Sequence, residues 1–308
     1  MLKSFGEIMT AVQGLEGDRT IAVALAQEPE ILRAVSAARE RGLANSILIG
    51  GEAEIRAVAE EIGLELEGFA IVDEPDPARA AARAVELVRT GRADILMKGL
   101  VGTATLLRAV LDKERGLRSE NILSHVAVFE PPGYGRLFLL TDAAMNIAPD
   151  LQRKAEIIRN AALIANSLGI KRPKVAPICA VELVNTEMPA TLDAALLSKM
   201  AQRGQLPGVE VDGPLALDNA VSHEAAQRKG IFSPVAGQAD ILLVPGIEVG
   251  NVIYKTLHYF CPGVKLAGLI AGAKAPVVLT SRADSQETKL NSIALSLLAS
   301  SVLAAQDS

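Results

Sequence analysis

A serine followed directly by an arginine closes a short apolar run in Pro276-Val277-Val278-Leu279-Thr280-Ser281-Arg282-Ala283-Asp284-Ser285. The apolar run reads as a buried strand. The segment after it, with Glu287, Lys289, Leu290, Ile293, Leu295, Leu297 and Leu298, reads as a helix. Ser281 stands where it would cap that helix, beside backbone N–H groups that have no partner within the helix. Arg282 adds a fixed positive charge and a planar fork of donors. A strand end carrying N–H groups, a hydroxyl and a guanidinium suits a phosphate or an acyl phosphate. The same residues also make a plain helix cap with a solvated arginine.

Four further groups have types and spacings that bear on anion binding. Lys98-Gly99 follows the strand Ile95-Leu96-Met97, and Gly102-Thr103-Ala104-Thr105 opens a helix that carries Arg108. Glycine lets backbone approach a ligand, and Lys98 projects from a strand end, where α/β sheets collect ligands. The glycine–lysine spacing of a Walker loop is missing, and an ordinary βα turn with exposed cations fits equally. Thr141, Asp142 and Asn146 interrupt apolar sequence after a strand. They fit three roles: orienting a phosphate-binding arginine, lining the cleft, or capping the helix that starts near Asp150. Asp212-Gly213-Pro214 forces a turn, and Asp212 with Asp218 invites a divalent metal. No third ligand stands at a matching spacing, so no metal is expected. Gly250-Asn251, with Lys255 beyond, opens a helix whose first turn would hold an anion. His125 and His223 enter a strand and a helix as structural residues. No Gly-x-Ser-x-Gly elbow is present.

These groups sit on an alternating frame. Thr20–Ala26, Ser46–Ile49, Phe69–Val72 and Ala93–Met97 read as strands. Glu30–Gly42, Glu52–Ile62 and the stretch opened by Asp76-Pro77 read as helices between them. That order indicates βαβ units and a mostly parallel sheet. Val126–Phe129 and Arg136–Leu140 are joined by Glu130-Pro131-Pro132-Gly133-Tyr134-Gly135, too short a link for anything but an antiparallel hairpin, so the sheet should be mixed. A long helix follows Asp150 to Ser167, and strand Lys174–Ile178 follows it. Gly91-Arg92-Ala93-Asp94-Ile95-Leu96 echoes Gly237-Gln238-Ala239-Asp240-Ile241-Leu242. The echo marks either two similarly built halves or convergent punctuation of a helix-to-strand junction. The expected division is a discontinuous α/β domain of residues 1–148 with 275–308, and a second α/β domain of 149–274. Ser281 and Arg282 would then face the cleft between them.

Bulk properties exclude several classes. The 308 residues are half hydrophobic, ample for such domains. No unbroken apolar span or leader is apparent, so a cytoplasmic protein with no membrane partner is expected. Cys179 and Cys261 have neither disulfide nor metal-knuckle spacing and read as buried reduced thiols. A net charge of −5, dispersed basic residues and no tryptophan argue against nucleic acid.

Taken in order, Met97-Lys98-Gly99, Thr141-Asp142-Ala143-Ala144-Met145-Asn146, Asp212-Gly213-Pro214-Leu215-Ala216-Leu217-Asp218-Asn219, Gly250-Asn251 and Ser281-Arg282-Ala283-Asp284-Ser285 resemble the phosphate acetyl/butyryltransferase family over nearly the whole chain, on its butyryl side. The resemblance implies two three-layer α/β/α domains like those of isocitrate and isopropylmalate dehydrogenases, and a homodimer or higher homo-oligomer. It implies a reversible reaction of short-chain acyl-CoA, butyryl-CoA favoured, with phosphate to give acyl phosphate and CoA. CoA is then a substrate, no other cofactor or metal is needed, and the CoA thiolate attacks directly in a ternary complex. Acetyl-CoA as substrate, and a non-catalytic CoA- or acyl-phosphate-binding relative, are the alternatives.

The family's site falls here on Ser281, which would bond the reacting sulfur or oxyanion, and on Arg282 and Arg108, which would bind phosphate. Lys98, Gly99, Thr141, Asp142, Asn146, Asp212, Gly213, Pro214, Asn251 and Lys255 would line the substrate site. Two departures stand out. The aspartate that family members carry seven residues after the serine is Thr288 here, leaving Glu287, Asp284 or no residue as base for the CoA thiol. The family's Pro-Asp-x-Glu-x-Gly-Asn is Pro245-Gly246-Ile247-Glu248-Val249-Gly250-Asn251.

Overall fold

The first 120 residues alternate strands and helices. The computed structural model describes residues 1–281 and 284–306, without the side chain of Gln306. In chain order it runs α1 (Phe5–Gln13), β1 (Thr20–Ala24), α2 (Pro29–Glu40), β2 (Asn45–Gly50), α3 (Glu52–Glu61), β3 (Ala70–Asp73), α4 (Pro77–Arg89), β4 (Ile95–Lys98) and α5 (Thr103–Val110). There follow β5 (Ser124–Glu130), β6 (Phe138–Thr141), α6 (Leu151–Ser167), β7 (Lys174–Pro177), α7 (Pro189–Gln202), β8 (Glu210–Val211), α8 (Leu217–Val221), α9 (His223–Arg228), β9 (Ile241–Leu243) and α10 (Ile247–Phe260). The chain ends with β10 (Lys265–Ala271), β11 (Val277–Val278) and α11 (Gln286–Gln306). The cap predicted at Asp76 is made, and α6 is capped in the same way. Asp76 accepts the Arg79 N–H at 2.8 Å with Pro77 in the first turn, and Asp150 accepts the Arg153 N–H at 2.8 Å.

Two compact units result, and each is an α/β assembly. The N-terminal unit holds Phe5–Asn121 and the chain from Ala267 onward; the central unit holds Met1–Ser4 and Ile122–Leu266. The sequence reading put the borders near 148 and 275. The difference lies in the hairpin β5–β6, which stays with the central unit because β6 pairs in parallel with β9, Leu140 opposite Leu242. Apolar sequence around 267–271 returns the chain to the N-terminal unit as β10.

In the N-terminal unit the strands lie in the order β3-β2-β1-β4-β11-β10, parallel except for β10. Its central strands are buried on both faces, and so they read as unbroken apolar runs. In the central unit the order is β5-β6-β9-β7-β8, with the hairpin antiparallel and the rest parallel. Phe129 and Phe138 stack at 5.3 Å across the hairpin and anchor its core with Leu140, Leu242 and Val244. The mixed sheet expected from the sequence is present. By length and composition α11 is apolar enough to span a membrane, which the sequence reading did not anticipate. Two thirds of that stretch is buried, with Ile293, Leu295 and Leu297 inside the N-terminal unit, so its apolarity is that of a core helix.

The internal echo has the same role in both units. Asp94 accepts the Thr20 N–H at 2.7 Å and returns its own N–H to the Thr20 carbonyl. Asp240 does the same with Lys174, at 2.9 Å. Each aspartate thereby fastens the start of one parallel strand to its neighbour. Gly91 and Gly237, at φ 71° and 78°, make the turn that precedes it.

Candidate active site

In each unit the residues singled out above leave the same edge of the sheet, the carboxyl ends of parallel strands. In the N-terminal unit β11 runs beside β4, Val277 opposite Leu96 and Val278 opposite Met97. The segment entering Ser281 and the turn Lys98-Gly99 are therefore neighbouring exits, the position where open α/β sheets bind ligands. Lys98 is buried and its Nζ donates to the Gly99 carbonyl at 3.1 Å. Gly99 is compelled by contact. A Cβ there would stand 2.0 Å from the Leu25 carbonyl oxygen, while its N–H donates to the Ala24 carbonyl at 2.9 Å. Leu25 itself takes φ 57° to turn out of β1. Arg108 is exposed, about one and a half turns into α5 and about 7–8 Å along the axis from Thr103.

Ser281 is exposed, and it does not cap α11 as the sequence suggested. That role falls to Ser285, whose Oγ accepts the Thr288 N–H at 3.2 Å, because the helix starts only at Gln286. The backbone of Ser281 is instead gripped from both sides. Its N–H donates to Asp284 Oδ2 at 2.7 Å, and its carbonyl accepts from Lys289 Nζ at 3.2 Å. Lys289 also donates to the Asp284 carbonyl at 2.6 Å. Asp284 is buried and engaged in this turn, whereas Glu287 is exposed in the first turn of α11. Arg282 lies outside the described residues.

In the central unit, pairing puts Thr141 opposite Leu243 and Leu243 opposite Pro177, while Val175 faces Val211. Thr141-Asp142, Pro245-Gly246 and Asp212-Gly213 therefore leave one edge. Thr141 is buried and donates to the His125 carbonyl at 2.8 Å. Asp142 is 2% exposed, and its carboxylate takes the N–H groups of Ala144 and Met145 at 2.9 Å and of Asn146 at 3.2 Å. The Asn146 amide adds a fourth bond at 2.7 Å and also reaches the Leu123 carbonyl. Asp142 thus organises its own loop, and the helix starting at Leu151 is capped by Asp150 alone. Gly250 packs on that loop, where a Cβ would lie 2.7 Å from the Asp142 carbonyl oxygen.

Two expectations are corrected here, the start of one helix and the burial of Cys261. The helix opens at Ile247, capped by Gly246, so Gly250 and Asn251 lie inside α10; Asn251 and Lys255 are on its exposed face. Asp212 and Asp218 are held by different partners. Asp212 accepts from Ser198 Oγ at 3.3 Å, while Asp218 and Glu182 share the Lys229 ammonium. The hydrogen bond from Lys229 holds both carboxyls below their usual range and raises the lysine in return. Cys261, expected to be buried, is half-buried. Gly213 is wedged against Pro177 and Ala194, and Pro214 is buried. His223 starts α9 behind its cap Ser222, and His125 lies in β5, both as read.

Sequence reasoning missed two buried lysines at these edges. One is Lys289. The other is Lys154, paired with Asp193 at 2.5 Å beside Pro177 and Pro245. Burial pushes the nearby Cys179 thiol up to about 11, against the pull of Lys154. The only available signal for Lys289 was a charge at a core position of an otherwise apolar helix. A cavity of about 600 Å³ at the exit of β3 contains none of the expected residues, and its walls carry the pairs Arg79–Glu74 and Arg83–Glu86.

The model of the Phosphate acetyl/butaryl transferase family matches residues 5–82 and 76–297, nearly the whole chain. The chain belongs to this family. Among curated relatives, the phosphate butyryltransferase of Clostridium acetobutylicum is 55% identical, over 97% of this chain and 98% of its own. The phosphate acetyltransferase of Thermotoga maritima is 47% identical, over 90% and 94%. Among solved structures, a branched-chain phosphotransacylase from Enterococcus faecalis V583 is 40% identical and superposes with a TM-score of 0.82, covering 92% of this chain and 99% of its own. A 4-hydroxythreonine-4-phosphate dehydrogenase from Salmonella typhimurium, 15% identical, shares the fold at a TM-score of 0.59, covering 92% of this chain and 100% of its own. The family and the dehydrogenase-like α/β architecture expected from the sequence are both met.

Proposed function

We propose that this protein is a phosphate acyltransferase that interconverts short-chain acyl-CoA and phosphate with acyl phosphate and CoA, four-carbon acyl groups being preferred. The observation that carries the reading is the 55% identity, end to end, with a phosphate butyryltransferase. The local geometry supports it, since the family's serine sits exposed at a strand exit next to Lys98-Gly99, while Ser285 caps the helix that follows.

In the direction of acyl-CoA synthesis, the CoA thiolate attacks the carbonyl carbon of the acyl phosphate. The C–S bond forms and the C–O bond to phosphorus breaks, so phosphate leaves with the electron pair. Ser281 Oγ donates to the oxyanion of the tetrahedral intermediate, and such a donor is worth about 10²–10³ in rate. Arg282 and Arg108 hold the phosphate and its growing charge. Of the two carboxylates, Glu287 suits the thiol proton better, because it is exposed and Asp284 is buried. The thiol, near pKa 8.5 in water, needs only modest help. The protein works without a cofactor other than its substrate CoA, in the cytoplasm, as a homodimer or higher homo-oligomer. The exposed Val252, Tyr259 and Phe260 of α10 are consistent with such an assembly.

The test is phosphate-dependent release of CoA from acetyl-, propionyl-, butyryl- and isobutyryl-CoA, without added metal. Fastest turnover with the four-carbon substrates is expected. Preference for acetyl-CoA would move the protein to the phosphate acetyltransferases, a reading kept open by the 47% identity with the Thermotoga enzyme. No release by folded protein would overturn the assignment.

A further inference from the structure

We infer that Lys289 is a positioning residue for the reaction, holding the Ser281 turn in its working conformation. This rests on the reading of Ser281 given above. Lys289 is 1% exposed, and its ammonium donates to the carbonyls of Ser281 at 3.2 Å and Asp284 at 2.6 Å. Among the described residues it forms no ion pair. Its place in the fold is unfavourable on two counts. A buried ammonium loses most of its hydration. Being the fourth residue of α11, it also lies by the positive end of the helix dipole, where a cation is disfavoured. A core helix that needed only packing would carry an apolar side chain here, as it does at Leu290 and Ile293.

What the lysine supplies is local. Asp284 Oδ2 fixes the Ser281 N–H, Lys289 fixes the Ser281 carbonyl, and the Asp284 N–H returns to that same carbonyl at 3.1 Å. Both peptide groups flanking the Ser281 Cα are thus fixed, which aims Cβ and Oγ. Ser285 caps the helix independently, so the grip on Ser281 is not needed to start α11.

The experiment is a double-mutant cycle of Lys289→Met and Ser281→Ala, with kcat and KM for butyryl-CoA and phosphate measured on each protein and folding followed by thermal unfolding. In the otherwise unaltered enzyme, Lys289→Met should lower kcat by about 10²-fold with KM changed less than about threefold, the scale of a misplaced catalytic group. In the Ser281→Ala background it should cost less than about threefold, because there is no hydroxyl left to aim. Lys289→Gln, a neutral donor, should recover part of the loss. An unchanged kcat in Lys289→Met, or the same loss with and without Ser281, would overturn the inference. If the methionine variant does not fold, the glutamine variant carries the cycle. Failure of both to fold would overturn the inference too, since Lys289 would then serve the fold. A wild-type enzyme without phosphate-dependent turnover, or a fully active Ser281→Ala, would instead remove the reading on which it rests.

Discussion

Replacing Asp142 by alanine should cost this protein stability, although its sequence context marks it as a substrate ligand. Its carboxylate is buried and accepts four hydrogen bonds, from three backbone N–H groups and the Asn146 amide. A hydrogen bond to a charged group is worth about 1.5–3 kcal/mol net, and each donor left buried without a partner costs about 1–3 kcal/mol. The four are not additive, and Ala144 is exposed enough for water to reach its N–H, so the total is about 3–5 kcal/mol. At about 2–4 °C per kcal/mol for a unit of this size, the central unit should melt roughly 6–20 °C lower. Asp142→Asn keeps one carbonyl acceptor and should lose about half as much. The assay is thermal unfolding by circular dichroism beside KM for phosphate. Both variants should unfold earlier, and Gly250, packed on the Asp142–Ala143 backbone, should loosen with them. An Asp142→Asn enzyme that melts like the wild type but needs tenfold more phosphate would refute the reasoning and return Asp142 to the substrate.

Three further outcomes follow from the same geometry. Gly99→Ala sets a Cβ 2.0 Å from the Leu25 carbonyl oxygen; it should destabilise by about 1–3 kcal/mol and lower turnover, read by melting temperature and kcat together. Ser285→Ala should cost about 1 kcal/mol, as the loss of a cap does, whereas Ser281→Ala should leave melting unchanged and lower kcat about 10²–10³-fold. Cys179, raised from 9.0 to about 11, should be alkylated by iodoacetamide about 100-fold more slowly than an unshifted thiol at neutral pH, with Cys261 reacting first on mass analysis of peptides. Because the folded thiol holds its proton longer, the stability it contributes is intact below pH 9 and declines as pH rises toward 11.

Local signals carried much of the architecture. Asp76-Pro77 and Asp150 announced helix starts that the structure makes through Arg79 and Arg153. Two prolines and two glycines between apolar runs announced the hairpin. The aspartates of the internal echo, Asp94 and Asp240, proved to tie equivalent strand pairs. What stayed hidden depends on partners distant in the chain. The hairpin reads as a continuation of the preceding unit until its pairing with β9, 102 residues away, is known. Lys154 and Asp193 are 39 residues apart with no pattern linking them. Ser281 and Ser285 are both plausible caps by residue type, and only the backbone path between them decides. The motif order led to strand exits, because ligand-facing turns in this fold class follow parallel strands whose apolar runs are easy to read.

The account is tested most directly by ³¹P NMR of the purified protein with butyryl-CoA and inorganic phosphate, without added metal, beside its Ser281→Ala variant. An acyl phosphate resonance growing in step with free CoA, and strongly slowed by the substitution, is the predicted result. CoA released without acyl phosphate would make the protein a thioester hydrolase, and equal rates from both proteins would remove Ser281 from the chemistry; either would contradict the account.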